Sequence, residues 1–289
     1  MELFFRKQNM PFENECPAVT SLARRRHCVV LLVIVATTLV GCSGEDSSGI
    51  GAAAEAGPGG RLQPLALTPS QELAVGRRAY GEVMADVRGR TLPDNSAEVH
   101  RVRGVMDRIA RAAAIEPLQR EILLRVRGYR FEWEANVIRD SQVNAFCLPA
   151  GKMVVFTGLL PVAANDDQLA TVLGHEMAHA LTHHASERVA REQTSTNILR
   201  SLSYDRLQES EADHVGLFLM TFAGYDPEQA VAFWSRMHNA TGQRGGRPPE
   251  FLSDHPSDER RIRNLRGWSA QARAAKTAYE EGRVAPAGR

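Results

Sequence analysis

The chain holds 289 residues, with 35 Lys+Arg against 34 Asp+Glu and 43% hydrophobic residues, enough apolar material for one or two folded domains. This balance of charge excludes a bulk electrostatic attraction to nucleic acid, so no nucleic-acid partner is expected. Of the cysteines at positions 16, 28, 42 and 147, the first two fall in an expected N-terminal signal segment and Cys42 at its end, which leaves Cys147 without an intrachain partner. No disulfide framework is therefore expected, and Cys147, between Phe146 and Leu148, is expected as a small buried hydrophobe.

The N-terminus does not read as a folded segment. Arg24, Arg25 and Arg26 precede an apolar run from Val29 to Val40. That run is shorter than the about 20 residues a membrane-spanning helix requires. It closes on Leu39-Val40-Gly41-Cys42, and the whole pattern predicts a signal peptide over residues 1–41. The closing box resembles that of bacterial lipoproteins. The resemblance implies that Cys42 is lipidated as the first mature residue and anchors the chain to a membrane. With Ser43 following, it further implies the cell envelope, facing the periplasm at the outer membrane. Residues 42–64, rich in Gly, Ser and Ala, read as a flexible tether, and 65–289 as the functional domain.

Thr68-Pro69-Ser70-Gln71 has the form of a capping box and predicts a helix to about Ala85. A second helix is predicted from 97 to 114, with Val102, Val105, Met106 and Ile109 on one face. Residues 121–157 change character: Tyr129 to Glu134 alternate, Val143 to Cys147 are strand-like, and Met153 to Thr157 follow a Pro149-Ala150-Gly151 turn. Together they predict a small antiparallel sheet. Asn165 or Asp166 then caps another helix, and further helices are predicted at 204–223, 227–240 and 257–280, with a loop from Arg244 to Pro249.

His175, Glu176 and His179 spell H-E-x-x-H inside the helix that begins near Asp167. Residues four apart on a helix are separated by about 6 Å along the axis and about 40° around it, so both imidazoles reach one ion. Neutral imidazole suits zinc, whose catalytic sites keep three protein ligands and an open position. Glu176, beside the first ligand, is placed to act as general base toward a water. A pattern with three fixed positions also arises by chance on solvent-facing helices, so the reading depends on a third ligand.

A continuation of the form H-x-x-G-x-x-H is excluded by Thr182 and Ala185. His183 lies about 12 Å in rise from His175, too far for a shared ion with Zn–N bonds of about 2.0 to 2.1 Å. His183 and His184 are therefore expected as an exposed pair. Glu209 and Asp213 lie four apart on a predicted helix and share a face. Glu209 can ligate, Asp213 can accept the remaining N–H of a ligating histidine, and Glu211 is the alternative ligand.

Six segments in this order resemble the peptidase family that includes HtpX and the CaaX prenyl protease: Asn144 to Lys152, Phe156 to Leu160, Leu173 to Ala180, Glu209 to Asp213, Ala223 to Pro227, and His255-Pro256 with Arg261-Ile262. Within that family the chain is similar to BepA-like lipoprotein members and to the mitochondrial OMA-type peptidases. The resemblance implies an α+β gluzincin, mainly helical, with a small sheet whose edge strand lies beside a two-helix site for one Zn2+. It implies Glu209 rather than Glu211 as third ligand. The strand after the Pro149 turn is implied as the edge that pairs with substrate. His255 and Arg261 match site residues, either stabilising the oxyanion or, for His255, blocking the open position. The function implied is a zinc endopeptidase acting on misfolded or misassembled envelope proteins, with the envelope assembly machinery as candidate partner. A lipid-anchored chaperone with little proteolysis is the alternative, and a purely structural zinc site with four protein ligands is a third reading.

Overall fold

A computed structural model describes residues 60–194, 198–243, 250–256 and 258–283. The expected signal segment, Cys42, residues 43–59 of the tether and the loop at 244–249 lie outside these.

Helix α1 (Pro69–Asp86) starts at Thr68, whose side chain accepts from the Gln71 N–H while Gln71 reaches back to the Thr68 N–H, with proline in the first turn. Helix α2 (Ala97–Ala113) is capped by Ser96 and buries Val99, Val102, Val105, Met106 and Ile109 along one stripe. A short α3 (Glu116–Glu121) follows, too brief for hydrophobic periodicity to announce it.

Strands β1 (Glu134–Ile138), β2 (Ala145–Leu148) and β3 (Lys152–Phe156) form a sheet in the order β1-β3-β2. β1 runs parallel to β3, and β2 runs antiparallel to it, so the sheet is mixed rather than antiparallel throughout. β3, expected as the substrate edge, is the central strand and is buried at every position; the edge toward the site is β2. The physical reason lies in the turn between them. Ala150 at φ 66° and Gly151 at φ 87° fold β3 back against β2, and a Cβ on Gly151 would meet the Trp133 ring at 2.6 Å. The alternating segment from Tyr129 becomes strand only at Glu134, because its aromatic rings are used for stacking. Tyr129 lies on His183 with centroids 3.7 Å apart, and Phe131 lies on Trp133 at 5.2 Å.

Helix α4 (Asp166–Leu181) is capped by Asn165, which accepts from the Gln168 N–H, and carries Asp166 and Asp167 in its first turn. It is buried almost all round because β2, α2, α6 and α7 all pack on it. α5 (His184–Thr194), α6 (Ile198–Phe222), α7 (Glu228–Gln243), α8 (Glu250–Asp254) and α9 (Glu259–Glu280) complete the domain. α4 and α6 touch through backbone at Gly174 and Gly216: a Cβ on Gly216 would sit 2.8 Å from both Gly174 C and His175 N. Fully buried Phe233, Trp234 and Phe251 form an aromatic wall under the site. The architecture is α+β, mainly helical, and none of its described helices is long and apolar enough to cross a membrane.

Candidate metal centre

The glycine contact brings α4 and α6 close enough for their polar side chains to meet. His175 Nε2 lies 3.1 Å from His179 Nε2 and 3.1 Å from His255 Nδ1. Glu209, from α6, places Oε2 3.2 Å from His175 Nε2 and 2.9 Å from His255 Nδ1, with Oε1 3.4 Å from His179 Nε2. One donor atom from each of these four residues falls within 4.8 Å of the other three.

The outer ring nitrogens settle the tautomers. His175 Nδ1 is 3.0 Å from Asp213 Oδ1 and 3.1 Å from Arg261 Nη2, which itself donates to that oxygen; with the His175 proton on Nδ1 the carboxylate accepts from both. His179 Nδ1 is 2.8 Å from His184 Nδ1. Burial holds His179 well below the usual histidine range, so it is uncharged. With both protons turned outward, the Nε2 lone pairs converge with the Glu209 carboxylate on one point. Lone pairs facing one another across about 3 Å repel unless a cation lies among them, and imidazole nitrogen with carboxylate oxygen is a donor set for zinc. Glu209 is held well below the ordinary carboxylate range: burial opposes this, but His255, His175 and His179 prevail, leaving the donor anionic. These residues fit a metal ion.

Glu176 lies on α4 beside β2. Burial pushes its pKa up, against the opposing pull of His255, His175 and the Cys147 backbone. Its Oε1 is buried with no hydrogen-bond partner; His255 Nε2 lies 3.2 Å away without the alignment of a hydrogen bond.

Arg261 stands beside His175: its Nη2 donates to Asp213 Oδ1 at 2.6 Å, its guanidinium stacks 3.4 Å over the Trp234 ring, and Nη1 donates to the Pro256 carbonyl at 3.2 Å and lies 3.6 Å from Glu209 Oε2. His183 and His184 are each 1% exposed, which overturns the exposed pair. The helical turn ends at Thr182, and His183, at φ 56°, turns the chain so that both rings point inward. His183 bonds Glu72 at 2.9 Å and the Arg125 carbonyl at 2.7 Å; His184 bonds Glu211 Oε2 at 3.1 Å. Glu211 accordingly faces His184 and Arg61, not the donor cluster. Arg61 and Gln63, placed at the end of the tether, lie against the domain: Gln63 Nε2 donates to the Thr182 carbonyl at 2.6 Å. The sequence reading missed His184, Arg61 and Trp234 as parts of this centre. No periodic signal marks them, although His184 stands five residues past a ligand.

The profile of peptidase family M48 matches residues 101–202 and 194–269, more than half of the chain. The chain belongs to peptidase family M48. This M48 chain is 34% identical to the mitochondrial metalloendopeptidase OMA1 of Schizosaccharomyces pombe over 226 residues, covering 71% of the chain and 63% of that relative. It is 32% identical to the OMA1 of Saccharomyces cerevisiae, covering 70% of the chain and 64% of the relative. The beta-barrel assembly-enhancing protease of Escherichia coli is 25% identical over 168 residues, covering 47% of the chain and 34% of its own length. The metalloendopeptidase class inferred from the motifs agrees with this family and with these names.

The expected place in a bacterial envelope is corrected by the same findings. The relatives that align along 70% or more of the chain are mitochondrial, whereas the bacterial protease aligns over less than half of it at lower identity. With the envelope goes the expected link to its assembly machinery. The N-terminal pattern that suggested the envelope lies outside the described residues.

Proposed function

We propose that this chain is a zinc-dependent endopeptidase that cleaves extended polypeptide segments. The observation that carries the reading is the juxtaposition of a four-residue donor cluster with a buried carboxylate, Glu176, that has an oxygen left without a hydrogen bond. His175, His179 and Glu209 would hold the ion. Zinc, when bound, supplies Lewis acidity that lowers the pKa of water and polarises a carbonyl.

Glu176 takes the proton of the attacking water and returns it to the leaving amine, a role suited to a carboxyl whose pKa burial has raised. β2 pairs with β3 on one side only, and its Cys147 backbone lies beside Glu176, so a substrate strand laid along its outer edge runs past the general base. Backbone pairing of this kind favours unfolded segments over compact domains. His255 offers a fourth donor and sits 3.2 Å from Glu176, so it occupies the position an incoming carbonyl needs and swings out when substrate arrives.

The test compares wild type with Glu176→Gln on an unfolded protein substrate, with zinc content measured in parallel. Hydrolysis is expected to fall by about 10²- to 10⁴-fold with zinc retained. Equal cleavage by both proteins would remove Glu176 from the mechanism. Zinc-loaded wild type that cuts no unfolded substrate would favour a binding role over proteolysis.

A further inference from the structure

The two ligands on α4 need the same thing from their surroundings: an acceptor for the outer Nδ1–H that leaves Nε2 free to bind. For His175 that acceptor is Asp213. For His179 it is a neutral side chain, His184, at 2.8 Å. His184 accepts at Nδ1 only if its own proton is on Nε2, and that nitrogen lies 3.1 Å from Glu211 Oε2, an acceptor. The opposite polarity, with His184 donating, would put the His179 proton on Nε2, pointing at His175 and Glu209. That tautomer has no free lone pair for an ion.

Glu211 is held in turn by Arg61, which lies before α1 and donates through Nη2 to Glu211 Oε2 at 2.7 Å and to Glu187 Oε2 at 2.7 Å. The segment carrying Arg61 is tied down at several points. Gln63 donates to the Thr182 carbonyl at 2.6 Å and to Glu187 at 3.1 Å, and the Leu67 amide donates to Ser186 Oγ at 2.9 Å. Glu187 is fully buried at its side chain and also accepts from Gln208 at 3.0 Å. Arg61 itself is only 15% exposed. A buried guanidinium shared between two carboxylates has a fixed position, because leaving either carboxylate unpaired is costly.

We propose that His184, Glu211 and Arg61 form a positioning relay that fixes the tautomer and ring orientation of His179, making residues 60–67 a structural part of the metal centre. The inference rests on the metal-dependent reading above and adds residues to it. None of the three touches the cleft; each acts through the next, so removing the chain ahead of α1 is expected to loosen the ion as well as the fold.

The experiment measures the zinc dissociation constant of the full chain by competition with a chromophoric chelator, together with melting of the zinc-free protein. His184→Leu, which removes both hydrogen bonds, is expected to weaken zinc binding by about 10- to 100-fold. His184→Gln keeps an acceptor and a donor on one side chain and is expected to remain within about threefold of wild type. Arg61→Met is expected to weaken zinc binding in the same direction, and the double variant with His184→Leu to be no weaker than the worse single, because the two act on one ligand in series. The proposal is overturned if His184→Leu binds zinc as wild type does, if His184→Gln is as damaging as leucine, or if the Arg61 and His184 losses multiply. A fall in melting of the zinc-free variants without a change in the zinc constant also overturns it, since the residues would then be structural only. Wild type that binds no zinc would reject the metallopeptidase reading itself, a result distinct from loaded wild type with unaffected variants.

Discussion

Behind His175 stand Asp213 and Arg261, contributed by α6 and α9 and backed by the Trp234 ring; behind His179 stand His184, Glu211 and Arg61, contributed by α5, α6 and the segment ahead of α1. Both arms end in an arginine–carboxylate pair and both turn an Nδ1–H outward, but the first reaches its ligand directly and the second through a neutral ring. The direct arm puts charge against the ligand. Asp213 sets a carboxylate directly against His175, whereas burial, aided by Arg188 and Arg61, takes the His184 pKa down to about 3 and keeps that arm uncharged at its contact with His179. One helix thus carries a strongly polarised ligand and a geometrically aligned one, and the chain on both sides of the H-E-x-x-H segment is needed to hold them.

The largest expected effect breaks the direct arm. Asp213→Ala takes from buried Arg261 its nearer carboxylate and leaves only Glu209, 3.6 Å from Nη1; losing one partner of such a pair costs about 3 to 5 kcal/mol, to be read by denaturant unfolding of the zinc-free protein. Zinc binding by the same variant should weaken by about 10- to 100-fold, and a loss confined to stability would deny Asp213 its orienting role.

Gly216→Ala strikes both arms at once, because its new Cβ meets backbone rather than a flexible side chain. Forcing α4 and α6 apart should cost about 1 to 3 kcal/mol and loosen zinc as well; unchanged chelator competition would show that the close approach serves packing alone.

Trp234→Leu removes the ring under Arg261, a contribution of about 0.5 to 2 kcal/mol beyond the lost packing. It should affect zinc less than Asp213→Ala does. The reverse order would move the centre of that arm from the carboxylate to the ring.

The smallest effect is local and acid-dependent. Burial raises the Glu187 pKa, but hydrogen bonds from Arg61, Gln208 and Arg191 outweigh it and bring the group from 4.5 to about 2. A carboxyl depressed on folding contributes stability that is fully present above its unfolded value and is lost as pH falls through the folded one. The protection of amides at residues 60–67, taken relative to the intrinsic exchange rate at each pH, should therefore fall as pH drops from about 4.5 toward about 2. Glu187→Gln should flatten that dependence. Equal acid profiles would separate Glu187 from the hold on this segment.

Much of the centre was legible because its pairs are local. His175 with His179, and Glu209 with Asp213, each lie four apart on one helix, and Thr68 and Asn165 announce the starts of α1 and α4 through side-chain caps. The sheet was harder to read. Alternation foretold strands near 134–156 but not that β3 would lie between the other two, which depends on how the Pro149–Gly151 turn returns the chain. The ordinary surface preference of histidine predicts His183 and His184 as exposed; the turn at His183, φ 56°, carries both rings inward instead.

By itself the sequence determined how His175 stands to His179 and Glu209 to Asp213, the place of Glu176 beside them and the helices that carry them, because a helix fixes the relation between residues three or four positions apart whatever surrounds it. Only the tertiary structure decided what stands behind each ligand. Arg61 and Glu211 meet across 150 residues of chain, and no periodicity spans that distance; their contact exists because Gln63, Leu67 and Glu72 tie the segment ahead of α1 and its first turn to Thr182, Ser186 and His183.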